Sequence, residues 1–283
     1  MSTTTTITAA DINKLRQATG AGMMDCRKAL TESDGDFEKS IDYLRKKGQK
    51  VAALRSDREA KEGVIIASTT ADNKTGLIIT LACETDFVAK NAEFVAFTQS
   101  IMDVGLKSNV KSLEELLAVK LDNASVADKI NDQVAKIGEK IQLSRFERID
   151  AEAVAAYIHG AYRMGVLVGL NKNSSSALQA GKDVAMQIAA MNPVAVDPDS
   201  VSPEVVAREK AIVTDQIKND PKMAGKPDEM MEKIAVGKLS AFFKENTLTA
   251  QPFVKDQGKT VGDYLKSIDA DLNVIQFKRV QLG

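Results

Sequence analysis

The sequence predicts an α+β fold, and three observations carry that prediction. The first fifty residues hold three short helical patterns, the region after Gly63 turns to β-branched runs, and the second half repeats the plan of the first. The expected architecture is an N-terminal three-helix bundle, then a duplicated α+β core of two small antiparallel sheets with helices, with an inserted helical hairpin. The boundaries read as 1–50 for the bundle, 51–62 for a linker, 63–150 and 151–283 for the two core subdomains, and about 200–245 for the hairpin.

Thr8 can cap the first helix, with Asp11 as a box-like partner and Ile7/Ile12 as a hydrophobic staple. Ile12 and Leu15 give that helix its apolar side, and Gly20 follows its end. "TGAGMM" (19–24) makes a glycine-hinged turn into a second helix carrying Ala29 and Leu30. "SDGD" (33–36) ends it and offers Asp36 as the next N-cap, and the third helix runs through Phe37, Ile41 and Leu44 to Gly48. Three helices of three turns or fewer do not stand singly, so they pack together. The charged stretch 46–63 reads as a helical or irregular linker.

"GVIIAST" and "GLIITLAC", separated by "TADNKT", have hairpin chemistry. After residue 86 a helix of about 18 residues reaches Val104, and 111–138 reads as helical with Gly138 at its end. "KIQLSRFERI" (140–149) returns to alternation, with Ile141, Leu143 and Arg145 on one side. The second half answers with "AVAAYIHGAYRMGVLVGLNK" (153–172), a helix through Val184, Ile188 and Met191, and a last strand "NVIQFKRV" (273–280). Between them Ser202 and Pro203 start a helix with a partial stripe of Val205, Val206, Ile212, Val213 and Ile217. "NDPKMAGKPD" breaks it, and Met230, Met231, Ile234, Leu239 and Phe242 mark the return. The narrow stripe predicts a projecting hairpin, more a contact surface than a catalytic element.

With 283 residues the chain is long enough for about two ordinary domains. Its 38 basic and 39 acidic residues give a net charge of −1, so no overall field favours nucleic acid or an anionic membrane. Cys26 and Cys83 lie far apart with no neighbour at metal-ligand spacing, which suits a reducing compartment. No apolar run predicts a membrane span, "MSTTTT" has neither signal-peptide nor presequence character, and cytoplasm is the expected location. One histidine, His159, would have to serve any His-based metal site or triad.

"DQGKT" (256–260) holds the tail of a phosphate-binding loop, but the required earlier glycine is Phe253, so no nucleotide site is expected there. "GAGMMD" (20–25) has Asp25 where a dinucleotide fingerprint needs glycine, and no strand precedes it. His159 lies in a hairpin beside Gly160 and is read as structural or surface-exposed, with partner contact as the next reading and catalysis last. Met23 and Met24 suit bundle core, yet neighbours about 100° apart on a helix cannot both face inward, so one is exposed and available to a binding patch. Phe87 in "CETDFVAKN" (83–91) has two readings. Seven residues before Phe94, it belongs with it in the core, with Thr85 or Asp86 as N-cap; at a first turn beyond the packed layer, it protrudes as a rigid aromatic anchor.

"LRQATGAGMMDCRKALTESDGDFEKSIDYLRKKG" (15–48) closely resembles the N-terminal module of the bacterial elongation factor Ts family, a three-helix module similar to ubiquitin-associated (UBA-like) domains. "CETDFVAKN" (83–91) resembles that family's core signature, and "HGAYRMGVLV" (159–168) and "LTAQPFVKD" (248–256) resemble further stretches of it. Order and spacing agree over nearly the whole chain. The family's members are guanine-nucleotide exchange factors for elongation factor Tu, the GTPase that delivers aminoacyl-tRNA to the ribosome. The resemblance implies that Thr85, Asp86, Phe87 and Val88 are pushed towards the GTPase's magnesium and phosphate region, with Phe87 wedging between side chains there. It implies that Arg16, Met23 and Met24 touch the nucleotide-binding domain, and that His159 approaches another domain. No catalytic residue, cofactor, metal or nucleotide on this chain is implied. Many members continue into a C-terminal helical module; this sequence ends at "VQLG" (280–283), which leaves that module's contact out of the expectation. Two other classes remain open: an α+β enzyme whose site assembles only in the fold, and an adaptor binding ubiquitin-like partners.

Overall fold

The computed structural model of the chain describes residues 6–55, 57–220 and 227–283. Most of the expected leader (1–5) and the middle of the expected hairpin break (221–226) lie outside the described residues. The first part of the chain runs α1 (Ala9–Thr19), α2 (Met23–Glu32), α3 (Phe37–Leu54), β1 (Glu62–Thr69), β2 (Thr75–Cys83), α4 (Asp86–Ala89), α5 (Ala92–Lys107), α6 (Leu113–Ala118), β3 (Lys120–Leu121), β4 (Ala124–Ser125), α7 (Val126–Ile137) and β5 (Gln142–Asp150). It continues through β6 (Ala153–His159), β7 (Met164–Leu170), α8 (Ser175–Met191), α9 (Pro203–Lys218), α10 (Asp228–Asn246), β8 (Pro252–Phe253), β9 (Asp256–Thr260), α11 (Val261–Ile268) and β10 (Val274–Gln281). The described residues fall into two compact units, one within 1–66, 78–147 and 281–283, the other within 67–77 and 148–280. None of these helices is long and apolar enough to cross a membrane.

In the first unit the helix starts follow local chemistry. The amide of Asp11 donates to Thr8 Oγ1 at 3.2 Å and the amide of Thr8 donates to Asp11 Oδ2 at 3.0 Å, which closes the capping box. Ile7 and Ile12 pack on a bundle core of Leu15, Cys26, Ala29, Leu30 and Leu44. The third helix does not stop at Gly48: it spans 18 residues and takes in the first part of the expected linker. Gly48 is a close-approach position, not a cap. A Cβ there would stand 2.8 Å from Ala135 Cβ and 3.0 Å from the Asn131 carbonyl oxygen, so glycine lets α3 lie against α7.

The expected continuous helix over 111–138 is also divided. Lys120 pairs with Ser125 and Leu121 with Ala124 across a two-residue turn, in which Asp122 takes the left-handed conformation (φ 58°). Asp and Asn tolerate that region, and "LDNA" is hairpin chemistry that the surrounding helical period obscured. Strand β2 sits between β1 and β5 and is buried from Gly76 to Cys83, which is why it reads as an unbroken apolar run rather than an alternation. On β5, Ile141 and Leu143 flank its start as buried residues, while Arg145 is exposed.

The second unit carries the sheet of order β10-β7-β6, with β6 and β7 antiparallel from Ala153↔Leu170 to His159↔Met164. A late strand beside the second hairpin strand is the same order as β1-β2-β5, so the expected duplication of plan is present. Helix α8 buries Ala177, Ala180, Val184, Ala185 and Ile188 against Val166, Val168 and Leu170. Ser202 caps α9, its Oγ accepting from the Val205 amide at 3.4 Å, with Pro203 at the first helical position. Val213 and Ile217 are buried, whereas Ile212 and Met230 stay exposed.

One polar cluster is built into this second core. Asp183 on α8 is 8% exposed and accepts from Lys255 Nζ at 2.6 Å, Tyr264 Oη at 2.7 Å and Gln179 Nε2 at 3.2 Å. Burial works against its charge, but the Lys255 and Tyr264 hydrogen bonds outweigh it and hold the carboxyl below its usual value of 3.8. The Tyr264 hydroxyl is pushed up to about 12 by burial and by its bond to Asp183. A depressed carboxyl contributes stability above its unfolded value and loses it as pH falls through the folded one. Asp183→Ala is therefore expected to destabilise the protein by about 1–3 kcal/mol at pH 7, with the difference from wild type shrinking below about pH 4. Denaturant unfolding of both proteins across that range checks it.

Candidate functional site

Strand β2 delivers the chain to a short, polar-pinned turn. Cys83 is the last strand residue; its buried thiol, pushed up to about 12 chiefly by burial, donates to the Thr85 carbonyl at 3.2 Å. Thr85 is the N-cap of α4, and its Oγ1 accepts from the Val88 amide at 3.5 Å. Helix α4 is only four residues long and none of them is buried. The expected 18-residue helix is broken at Lys90–Asn91: Asn91 has extended backbone, and its side chain caps α5 by accepting from the Glu93 amide at 2.8 Å.

That break decides between the two readings of Phe87. With α4 and α5 as separate helices, the seven-residue spacing no longer puts Phe87 and Phe94 on one face. Phe94 is 2% exposed and Phe87 is 83% exposed, so the core reading of Phe87 is overturned. Asp86 beside it pairs with Lys90 at 2.6 Å, and that hydrogen bond holds its carboxyl below the usual range. Val88 is half-buried.

What holds the turn lies far away in sequence. Gly138, left-handed at φ 78°, ends α7 and brings Glu139 alongside residues 84 and 85. Glu139 Oε2 accepts from the amides of Glu84 and Thr85, both at 3.1 Å, and Oε1 accepts from Thr85 Oγ1 at 2.7 Å. In return Glu84 Oε1 accepts from the Lys140 amide at 2.6 Å and from Arg55 Nη1 at 2.7 Å, while Oε2 takes Arg58 Nη1 at 3.2 Å. These bonds, the Lys140 amide first, hold the Glu84 carboxyl below its usual range. Beside Phe87 lies a cleft of about 410 Å³, with Val88, Phe94, Ile137 and Lys136 in its walls.

Arg16, Met23 and Met24 lie in the same unit and are all exposed. The inward face of α2 is taken by Cys26, Ala29 and Leu30, which leaves Met23 at 47% and Met24 at 74% exposure, where one exposed methionine was expected. The turn before them meets Lys136: a Cβ on Gly20 would stand 3.1 Å from Lys136 Cδ. Lys136 also pairs with Glu93 at 2.9 Å and lines the cleft beside Phe87. Lys136 thus stands both at the Gly20 turn and in the wall of the cleft beside Phe87.

His159 belongs to the second unit. It ends β6, is exposed, and its Nδ1 lies 2.9 Å from Tyr157 Oη. The following turn holds Ala161 and Tyr162 in the left-handed region (φ 52° and 69°), which presents Tyr162 to solvent next to it. "DQGKT" forms the exposed strand β9, and Phe253 is buried against Tyr264 with ring centroids 4.2 Å apart. Glu139, Glu84, Lys136 and Tyr162 were not singled out from the sequence. Glu139 follows the helix-ending Gly138, but nothing local indicates a target 54 residues upstream.

The fold and these surfaces define a duplicated α+β protein with an N-terminal helical module and exposed apolar side chains on polar-pinned turns. The family model described as Elongation factor TS matches residues 84–283. Proteins called Elongation factor Ts from Christiangramia forsetii and Flavobacterium psychrophilum are each 48% identical to the chain, over 98% of it and 99% of their own length. The Elongation factor Ts of Amoebophilus asiaticus is 50% identical over 98% of the chain and 99% of its own length. The chain belongs to the elongation factor Ts family, and so to the translation elongation factors of protein biosynthesis.

Proposed function

We propose that the protein is a guanine-nucleotide exchange factor for elongation factor Tu, working by protein contact and making or breaking no bond itself. The observation that carries this reading is Phe87, 83% exposed on a helix start whose preceding amides are held by Glu139. An aromatic that is apolar, exposed and rigidly mounted loses little entropy on entering a partner pocket. Thr85, Asp86, Phe87 and Val88 form the element that enters the GTPase's Mg²⁺ and phosphate region. Arg16, Met23 and Met24 contact its nucleotide-binding domain, and His159 with its hairpin reaches another domain. On this reading residues 1–50 act as a UBA-like module joined by 51–62 to core subdomains 63–150 and 151–283, in the cytoplasm.

The energetics are consistent with a wedge. Mg²⁺ bridges phosphate oxygens, so disturbing its ligands removes a large electrostatic contribution to nucleotide affinity. By linkage, nucleotide weakens exchange-factor binding by the same factor. A thousandfold weakening needs about 4 kcal/mol of differential interaction, within reach of a few desolvated anchors. The test is release of fluorescent GDP from the cognate elongation factor Tu. Acceleration by the wild-type chain at catalytic amounts is expected; release at the intrinsic rate, with the chain folded, would sink the reading.

A further inference from the structure

We propose that Glu139 is a positioning residue for exchange, its carboxylate fixing the direction in which Phe87 is presented; this rests on the exchange reading above. A four-residue helix does not hold itself, and none of the residues of α4 is fully buried, with Val88 and Ala89 only half-covered, so apolar packing alone is a weak hold on Phe87. The restraint is polar, and Glu139 supplies most of it. Among the described residues this carboxylate accepts three hydrogen bonds, all from Glu84 and Thr85, the two residues that immediately precede α4. By engaging the Thr85 hydroxyl proton, Glu139 also leaves the Thr85 oxygen lone pairs to face the Val88 amide, which sets the cap. The Lys140 amide on Glu84 closes the clasp from the other side.

Charge-assisted bonds to two amides and one hydroxyl suit such a task, because a carboxylate accepts several donors while the amides' directions set the helix axis. Glu139→Ala hands both amides to water and frees the hydroxyl to rotate, so α4 frays and Phe87 samples many directions. Glu139→Gln keeps a carbonyl acceptor for the amides but loses the charge.

The experiment is a double-mutant cycle on fluorescent-GDP release from the GTPase, using the full chain as wild type, Glu139→Ala, Glu139→Gln, Phe87→Ala and Glu139→Ala/Phe87→Ala. Glu139→Ala is expected to lower the acceleration about tenfold, Glu139→Gln less, and the double variant no more than Phe87→Ala alone. In the free chain, amide hydrogen exchange at Glu84 and Thr85 is expected to speed up in Glu139→Ala, with core strands still protected. A merely structural role would lower activity by the same factor in both backgrounds and loosen the core as well. That result, or undiminished acceleration in Glu139→Ala, overturns the positioning role while the exchange reading stands. A wild-type chain that fails to accelerate release overturns both.

Discussion

Phe87→Ala is expected to lower the maximal acceleration of GDP release by about 30- to 700-fold, the equivalent of roughly 2–4 kcal/mol for an aromatic anchor at about 1.4 kcal/mol per tenfold. The fold is expected to survive, because Phe87 is exposed and contributes little to the core formed around Phe94. Association is expected to persist more than release, since Arg16, Met23 and Met24 are exposed on other elements, α1 and α2, and are left intact. Stopped-flow release measured against factor concentration separates the two: a lowered plateau with a similar half-saturation is the signature of a wedge. Full activity in a folded Phe87→Ala would remove the wedge from the mechanism and leave the family assignment untouched. Phe87→Leu offers a finer measure, keeping apolar volume while losing the ring, and belongs between the two.

The second large effect is on stability. Gly63 opens β1 against the backbone of β2, and a Cβ there would stand 2.4 Å from the Leu81 carbonyl oxygen and 2.9 Å from Ala82 Cα. Both obstacles are backbone atoms of a buried strand, so neither can swing aside as a side-chain tip could. Its φ of 157° adds a conformation that L residues rarely adopt. Gly63→Ala is expected to destabilise the protein by about 3 kcal/mol or more, read as a lower denaturant midpoint at similar m-value. Because β2 ends at Cys83, one residue before the clasp, the remaining folded protein is also expected to accelerate GDP release from the GTPase less than wild type does. A midpoint within error of wild type would show that β1 can shift without loss.

Much of this architecture was legible locally. The Thr8–Asp11 box, the Ser202–Pro203 start, the two hairpins and the apolar run of β2 all come from interactions between residues close in sequence, which pattern and capping chemistry report directly. The misreadings share a cause. Gly48 and the 86–104 region carry signals that support two outcomes: glycine as cap or as close-approach residue, Asn91 as mid-helix residue or as N-cap. In the second case the seven-residue spacing of Phe87 and Phe94 reads as one helical face, while Asn91 followed by Glu93 is a cap signal within the same stretch. The clasp was not legible at all, because Glu139 and Thr85 meet only when Gly138 turns the chain at the end of α7.

By itself the sequence determined the fold class, the family and the "TDFV" turn as the place to look. Those follow from local periodicity and from motifs long enough to be specific. Only the tertiary structure decided that Phe87 stands out in solvent and that a carboxylate 52 residues further along holds the turn beneath it. Exposure depends on what other elements cover, and a hydrogen bond between distant segments depends on where the fold brings them; neither is a property of a short stretch of chain.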